Sequence, residues 1–151
     1  MIEKLAQLTK DLQKEEFNGR VKLLVPVKKV VETGKIIREH GFDHVESVCG
    51  IDFPETNEFE VTYFIGSIKD ELKEKVVIFG SRIPRNKATF PSLTGVWPGV
   101  EFHERETWEM LGINFKNHPK LAKLLLPDDW SDIPPLRKDF QTKKWGDAER
   151  S

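Results

Sequence analysis

Apolar and polar side chains alternate over residues 58–63 and the apolar side continues at residue 65, and this pattern constrains the fold more than any other feature. The apolar positions are Phe59, Val61, Tyr63 and Ile65, and the polar positions are Glu58, Glu60 and Thr62. Such alternation predicts a strand with one face in a core. Residues 42–53 predict a strand before it, and the apolar run over residues 76–83 predicts a central strand after it. We expect these three strands to form an antiparallel succession.

The N-terminal part of the chain predicts two helices separated by a strand. Residues 1–17 predict an amphipathic helix. The apolar side of that helix consists of Leu5, Leu8 and Leu12. Residues 21–27 alternate as a strand, and Pro26 indicates either an edge strand or the end of the strand. Residues 27–37 predict a second helix that ends near Gly41.

Together these elements predict an α+β fold. We expect a mixed, largely antiparallel sheet with helices packed on one face and an extended C-terminal strap, residues 134–140. A length of 151 residues is enough for one sizeable core. We therefore expect residues 1–140 to form a single domain and residues 141–151 to form an extended tail.

Composition argues against several classes of function. The formal net charge of −1 provides no global basic field for binding nucleic acid. One cysteine, Cys49, excludes an internal disulfide and any cysteine-held cluster supplied by this chain alone. Because Cys49 is a small residue within strand-like sequence, we expect it in the core. No apolar run approaches the roughly 20 residues of a membrane-spanning helix. A charged fraction of 32% favours a heat-loving source.

The stretch over residues 101–140 concentrates charged, aromatic and proline residues. Its first part predicts a helix, which Gly112 ends because glycine adopts a positive φ at little cost. An extended segment is expected over residues 113–115. Upstream, Ser92 is predicted to cap a short helix over residues 92–97.

A second short helix is predicted after His118-Pro119, because proline is favoured at the first helical position. Its apolar side would consist of Leu121, Leu124 and Leu125. The prolines of the strap, by contrast, bar regular structure. The strap therefore presents three charged side chains, Arg137, Lys138 and Asp139, from an extended backbone. It suits either docking onto another surface or an ordinary surface loop.

The charges Glu104-Arg105-Glu106 have two interpretations. They form either a solvated helix face of weak ion pairs or a partly buried network. The aromatic residues around them favour the network, and they are Trp97, Phe102, Trp108 and Phe115. In that network Arg105 would be the organiser, since its planar guanidinium can hold two carboxylates at once.

These motifs, ERETWEMLGINFKNHPKLAKLLL followed by PPLRKDF, resemble the 30-kDa subunit family of respiratory complex I (NADH:quinone oxidoreductase). That family includes the equivalent subunit of complex I-related membrane-bound hydrogenases. Its pattern is roughly ERE-x-x-D-x-x-GI-x-F-x-x-HP-x-L, then PLRKD and an aromatic residue. The chain departs from it at Glu109, where the family usually has Asp, and at Ala122 and Lys123, where many members have arginines.

The resemblance implies an accessory subunit with no catalytic, cofactor-binding or metal-binding residues of its own. It implies two partners, an iron–sulfur small subunit and a large catalytic subunit, and indirect contact with membrane subunits. Iron–sulfur clusters, and a nickel–iron site in a hydrogenase, would belong to those partners. The implied location is peripheral, on the cytoplasmic side of the cell membrane. The expected docking residues are Glu104, Arg105, Glu106, Glu109, His118, Pro119, Pro135, Arg137, Lys138, Asp139 and Trp145.

Several functional hypotheses remain open at this stage. Compact length, the departures from the family pattern and the charged composition favour a ferredoxin-linked, ion-translocating membrane-bound hydrogenase or a close relative. The alternative within the family is a subunit of an NADH (or other donor):quinone oxidoreductase. A different class is a stand-alone metal-dependent hydrolase that uses His103, Glu106 and His118. A third is a free adaptor domain that docks on a soluble partner.

Overall fold

The computed structural model describes residues 1, 3, 7, 11–17 and 20–142 of the chain. The strands are β1 (Gln13–Phe17), β2 (Arg20–Leu24), β3 (His44–Phe53), β4 (Glu58–Gly66), β5 (Val77–Pro84), β6 (Thr89–Pro91) and β7 (Asn114–Lys116). The helices that position the candidate site are α1 (Val30–Glu39) and α2 (Glu101–Leu111).

The main sheet has the strand order β1-β2-β5-β4-β3. β3, β4 and β5 are antiparallel neighbours in sequence order. β2 pairs in parallel with β5 and antiparallel with β1, so the sheet is mixed. A second, two-stranded parallel sheet pairs β6 with β7. The topology confirms the predicted α+β class, the largely antiparallel sheet and the central position of β5.

Both helices contribute to the core on one face of the main sheet, as predicted. A methyl group added at Gly50 of β3 would lie only 2.8 Å from Thr107 Cγ2 of α2. Glycine at this position therefore allows the helix to approach the strand closely. α1 contributes Val30 and Ile37 to the core cluster that also contains Phe59 of β4. No helix in the described ranges is long and apolar enough to cross a membrane.

Aromatic rings connect the layers of this core. The Tyr63 ring lies 5.4 Å from the Phe79 ring and 6.2 Å from the Phe90 ring, measured between centroids. Phe79 lies 6.0 Å from Trp97, whose indole N–H donates to the Phe42 carbonyl at 3.0 Å. Each such aromatic pair adds about 0.5–1.5 kcal/mol beyond its buried area. The rings therefore join β4 and β5 to the segment that leads into α2.

The opposite face of the sheet carries a buried charge cluster around Glu60. The Glu60 carboxylate accepts from Lys22 Nζ at 2.7 Å, Arg82 Nε at 3.0 Å and the Thr62 hydroxyl at 2.8 Å. Glu15 of β1 pairs with Lys22 at 2.8 Å. Burial by itself would raise the pKa of Glu60, but these donors outweigh it and lower that pKa. Because the partners lie on four strands, the cluster fixes their register.

The prediction of a helix over residues 1–17 was wrong at its C-terminal end, where Gln13–Phe17 forms β1. Antiparallel pairing with β2 and the ion pair of Glu15 override the local helical pattern, because tertiary context outweighs weak propensity. Leu12 packs against the core. Leu5 and Leu8 lie outside the described residues.

Three further predictions of local structure were wrong. Residues 92–97 form a turn instead of a helix, because the Ser92 hydroxyl is engaged by the Thr94 amide and by a carboxylate of α2. Residues 118–142 contain neither helix nor strand. Cys49 is exposed, since it lies on the side of edge strand β3 that faces away from α2.

Candidate docking surface around the second helix

Glu104 points from α2 into the protein and has no exposed surface. Its Oε1 accepts hydrogen bonds from the Tyr63 hydroxyl at 2.9 Å and the Leu93 amide at 2.8 Å. Its Oε2 accepts from the Ser92 hydroxyl at 2.6 Å. The carboxyl group therefore ties α2 both to β4 and to the turn before the helix.

The protonation of Glu104 is set mainly by desolvation. Burial raises the pKa of this carboxyl, and the hydrogen bonds from Ser92, Leu93 and Tyr63 only partly oppose the rise. Complete burial, together with the contact to the Glu104 carboxyl, raises the pKa of the Tyr63 hydroxyl well above its usual value. The observed role of Glu104 is internal, and its predicted docking role stays a prediction.

Arg105 and Glu109 project from α2 toward the loop that follows β7. Arg105 donates from Nε to the Ala122 carbonyl at 3.1 Å and from a terminal nitrogen to the Lys123 carbonyl at 3.2 Å. Glu109 accepts from three successive backbone amides. Those amides belong to Leu124, Leu125 and Leu126, at 3.0, 2.9 and 3.0 Å. The Arg105 guanidinium thus binds backbone carbonyls, and the Glu109 carboxylate binds backbone amides, of one continuous segment, residues 122–126.

These contacts of Arg105 and Glu109 correct one prediction and explain why another, the short helix after Pro119, was wrong. Arg105 was expected to hold two carboxylates, but the described bonds of its guanidinium go to two backbone carbonyls instead. A short helix in this segment would leave the amides of residues 124–126 free in its first turn or use them in its own hydrogen bonds. Glu109 accepts hydrogen bonds from these amides instead, so the loop stays irregular. Burial alone would raise the pKa of Glu109, but the three amide hydrogen bonds outweigh it and lower the pKa.

His118 fastens the start of the same loop to the start of α2. Its Nδ1 accepts from the Lys120 amide at 3.0 Å, so the ring proton lies on Nε2 in the neutral form. Nε2 then donates to the Glu101 carbonyl at 2.9 Å. Pro119, which follows, is exposed. Histidine thus acts as a structural tie, and its predicted docking role stays untested.

The strap is also fastened to the domain. The Lys138 amide donates to Asp52 Oδ2 at 2.8 Å, and Arg85 donates to the same oxygen at 3.1 Å. Arg85 Nε lies 2.9 Å from Asp52 Oδ1, an ion-pair contact outside hydrogen-bond geometry. Arg85 also pairs with Asp139 at 3.2 Å. Leu136 donates its amide to the Met110 carbonyl of α2 at 2.9 Å.

Arg137 and Asp139 form a two-pronged pair within the strap, with both nitrogen–oxygen distances at 2.9 Å. The Arg137 guanidinium lowers the pKa of Asp139 to about 2. The side chain of Asp139 is 46% exposed, so solvent screens this pair. Pro135 is half-buried and Lys138 is exposed. Trp145 lies outside the described residues.

Several exposed apolar side chains lie on α2 and on the segments that follow β7. We define the docking face as Phe102, Leu124, Leu125, Ile133 and Leu136, with exposures of 59, 39, 61, 37 and 62%. Among the described residues only two other large apolar side chains, Val21 and Ile68, are comparably exposed. Glu106, one turn after Phe102, is exposed beside this face. Large exposed apolar side chains in such a region mark a candidate interaction site.

The structure does not assemble the metal site that His103, Glu106 and His118 suggested. Across the described residues, no group of three histidine, cysteine or acidic side chains is placed to hold a metal ion. His118 uses both ring nitrogens in bonds to the backbone. The arrangement around α2 is therefore a set of structural ties that supports an apolar surface.

Sequence reasoning missed four residues that build this surface. Tyr63 and Ser92 complete the Glu104 site, and Asp52 and Arg85 hold the strap. A buried tyrosine in the clearest strand needs a partner for its hydroxyl, which was a usable signal. Asp52 at the end of a strand was a weaker signal, since its partner Lys138 is 86 residues away.

Comparisons with known proteins agree with this architecture. The family model of the respiratory-chain NADH dehydrogenase 30-kDa subunit matches residues 23–145. A subunit of the NADH-quinone oxidoreductase of Roseiflexus sp. is 36% identical over 82% of this chain and 71% of its own length. A subunit of the F(420)H(2) dehydrogenase of Methanosarcina mazei is 42% identical over 66% of this chain and 61% of its own length.

Two solved structures share the fold. One is a chain of the membrane-bound sulfane sulfur reductase (MBS), an archaeal respiratory membrane complex. It matches with a TM-score of 0.77 and 22% identity, over 93% of this chain and 83% of that one. The other is a trypsin-resistant fragment of Nqo5, which matches with a TM-score of 0.65 and 24% identity over 80% of this chain and 96% of that one.

These observations define an α+β domain with a mixed five-stranded sheet and an exposed apolar surface beside a charged helix. With the family model matching most of its length, the chain belongs to the 30-kDa subunit family of respiratory-chain NADH dehydrogenase. It is a subunit of the complex I 30-kDa type, a type that also occurs in F(420)H(2) dehydrogenase.

Proposed function

We propose that this chain is a non-catalytic peripheral subunit of a membrane-associated, complex I-like oxidoreductase. Its role is to hold an iron–sulfur small subunit and a large catalytic subunit in fixed relative positions. The observation that carries the proposal is the docking face, whose exposed apolar residues all belong to α2 or to segments tied to it. Family membership supplies the class of complex.

The bonding of α2 supports a positional role. Glu104, Arg105 and Glu109 are the buried charged residues of this helix, and each makes hydrogen bonds to other parts of this chain. These bonds make the docking face rigid, so binding a partner costs little ordering of the loop. A rigid spacer matters in an electron-transfer complex, because electron-transfer rates fall steeply with the distance between cofactors.

The proposal assigns the redox groups to the partners. Iron–sulfur clusters, and a nickel–iron site if the complex is a hydrogenase, would be bound by neighbouring subunits. This chain has a single cysteine, too few for a cysteine-held cluster. We place the chain on the cytoplasmic side of the cell membrane, peripheral and held through its partners.

For the type of complex, we propose a ferredoxin-linked, ion-translocating membrane-bound hydrogenase or a close relative from a heat-loving source. The hydrogenase is supported by the departures from the family pattern at Glu109, Ala122 and Lys123, and the heat-loving source by the charged fraction of 32%. The second candidate is a quinone reductase. It is favoured by the 36% identity with a subunit of an NADH-quinone oxidoreductase.

Metal and activity measurements on the purified complex separate these two candidates. The hydrogenase predicts stoichiometric nickel in the large subunit and hydrogen-dependent dye reduction. A quinone reductase predicts no nickel and donor-dependent quinone reduction. Nickel-free complex with quinone reductase activity would overturn the hydrogenase assignment and leave the positional role intact.

The docking role is tested with the double variant Leu125→Lys and Leu136→Lys. We expect the tagged variant to recover less than a tenth of the iron–sulfur and large subunits that the wild type recovers, with an unchanged melting temperature for the isolated chain. The matched control is Ile68→Lys, since Ile68 is 74% exposed but lies outside the docking face. Full recovery by the double variant, or equal loss in the control, would refute the proposal.

A further inference from the structure

A groove of about 380 Å³ opens on a part of the surface that the docking face does not include. It runs between the 3-10 turn Val27–Lys29, the end of β5 and strands β6 and β7. Its apolar lining consists of Val27, Ile83, Pro84, Phe90 and Pro91. The two prolines lack backbone N–H groups, so these wall positions cannot donate to an added strand. Recognition here depends on side chains.

Three lysines line the same groove, one from each bordering region. They are Lys28, Lys87 and Lys116, and all three are exposed. Lys22 and Lys29, by contrast, are engaged, with Glu60 and Glu32 respectively. Within the described part of the chain, no ion pair or side-chain hydrogen bond is found for the three groove lysines. The groove lining contains no acidic residue.

We propose that this groove binds an acidic segment of a neighbouring subunit, in which an apolar or aromatic side chain is flanked by carboxylates. The apolar side chain would pack against Val27, Pro84 and Pro91, which are at least partly exposed, while the carboxylates pair with the lysine rim. An apolar anchor inside a charged rim is how protein interfaces combine affinity with specificity. This inference rests on the proposed function for the presence of a neighbour, but it uses a different surface.

A protein segment fits the groove better than a small ligand does. The space is open along its length, and small-molecule sites bury most of the ligand surface. The three positive charges come from the turn before α1, the turn after β5 and strand β7, so they favour an occupant with several separated negative charges. Lysine suits this role, because it pairs as a point charge with carboxylates of varied geometry.

Lysine footprinting of the native assembly tests the proposal. The complex, purified through a tag on this chain, and the isolated chain are each acetylated briefly with an N-hydroxysuccinimide ester. We expect Lys28, Lys87 and Lys116 to react at least tenfold more slowly in the complex. Lys35, an exposed lysine on α1, serves as the internal control and should react equally in both samples.

Zero-length carbodiimide cross-linking then identifies the chemistry of the occupant. The expected result is cross-links from Lys87 or Lys116 to aspartate or glutamate residues of one neighbouring subunit, abolished by the charge reversals Lys87→Glu and Lys116→Glu. Equal labelling of the three lysines in complex and isolated chain would overturn the proposal. Protection without a cross-link to a carboxylate would also overturn it.

Anionic vesicles of phosphatidylglycerol test whether the groove binds a lipid surface instead of an acidic protein segment. If these vesicles protect the three lysines of the isolated chain as fully as the complex does, the groove binds lipid and the proposal fails. The failure of the proposed function is separate, since it would show as a chain that recovers no other subunits. A complex that assembles while its groove lysines remain reactive removes only the groove proposal.

Discussion

The inner and outer sides of α2 carry two buried carboxylates five residues apart, and their environments act in opposite directions. Glu104 faces the sheet and bonds to two hydroxyls and one amide, and burial raises its pKa. Glu109 faces the loop and bonds to three amides, and these amides lower its pKa. The contrast shows that one helix can anchor a domain on one side and hold an irregular surface loop in place on the other.

Removing the inner carboxyl should have the largest effect. Glu104→Leu leaves the Tyr63 hydroxyl, the Ser92 hydroxyl and the Leu93 amide without their acceptor inside the core. We expect a loss of about 3–5 kcal/mol in the free energy of unfolding. Urea denaturation measures it, with Glu104→Gln as the control. The amide can accept from Tyr63 and donate to Ser92, so its cost should be about 1 kcal/mol. Equal losses in both variants would contradict this account.

Removing the outer carboxylate should have a smaller and more local effect. Glu109→Ala frees three amides close to the surface, where water can replace the lost acceptor. We expect a loss of about 1–2 kcal/mol in the free energy of unfolding. Hydrogen exchange should accelerate at Leu124, Leu125 and Leu126 while the strands remain protected. Exchange that accelerates across the whole sheet would show that the two sides of α2 are not separable.

The pH dependence of stability should have opposite signs for the two carboxyls. The raised pKa of Glu104 means that the unfolded chain loses this proton first, so stability falls as pH rises from about 4.5 through the folded pKa. The lowered pKa of Glu109 gives stability that is present above about 4.5 and lost as pH falls through the folded pKa. Unfolding free energies of the wild type, Glu104→Gln and Glu109→Gln, measured over this pH range, isolate the two contributions. The same sign for both would refute the comparison.

The exposed pair in the strap should matter least. Arg137→Ala should return the pKa of Asp139 from about 2 toward its ordinary value of 3.8. The change in unfolding free energy should stay below about 1 kcal/mol, because solvent screens exposed pairs. Carboxyl-carbon NMR titration measures the pKa, and Lys138→Ala is the control since its contact to Asp52 uses only the backbone. An unchanged Asp139 pKa in Arg137→Ala would show that the pair does not form in solution.

The regular part of the fold was predictable because its pattern is local. The alternation in β4, the apolar run of β5 and the glycine that ends α2 each follow from neighbours in sequence, and Gly112 has the expected positive φ, at 78°. β1 was not predictable in this way, since its strand conformation depends on pairing with β2.

The candidate site was predictable only as a set of residues. The motif around Glu104, Arg105 and Glu109 marked the right helix, but it did not indicate which side each residue faces. Arg105 and Glu109 bind backbone groups of a loop 15 to 18 residues later, and backbone groups leave no signature in the sequence. The contact of Lys138 with Asp52 joins the strap to the distant strand β3, and local pattern analysis cannot detect such a contact.

A cryo-EM map of the native assembly, purified through a tag on this chain, tests the central claim most directly. The account predicts that Phe102, Leu125 and Leu136 lie against a cysteine-rich subunit and that every iron–sulfur cluster is ligated by residues of the neighbouring subunits. A map in which these three side chains face bulk water, or in which this chain ligates a cofactor, would contradict it.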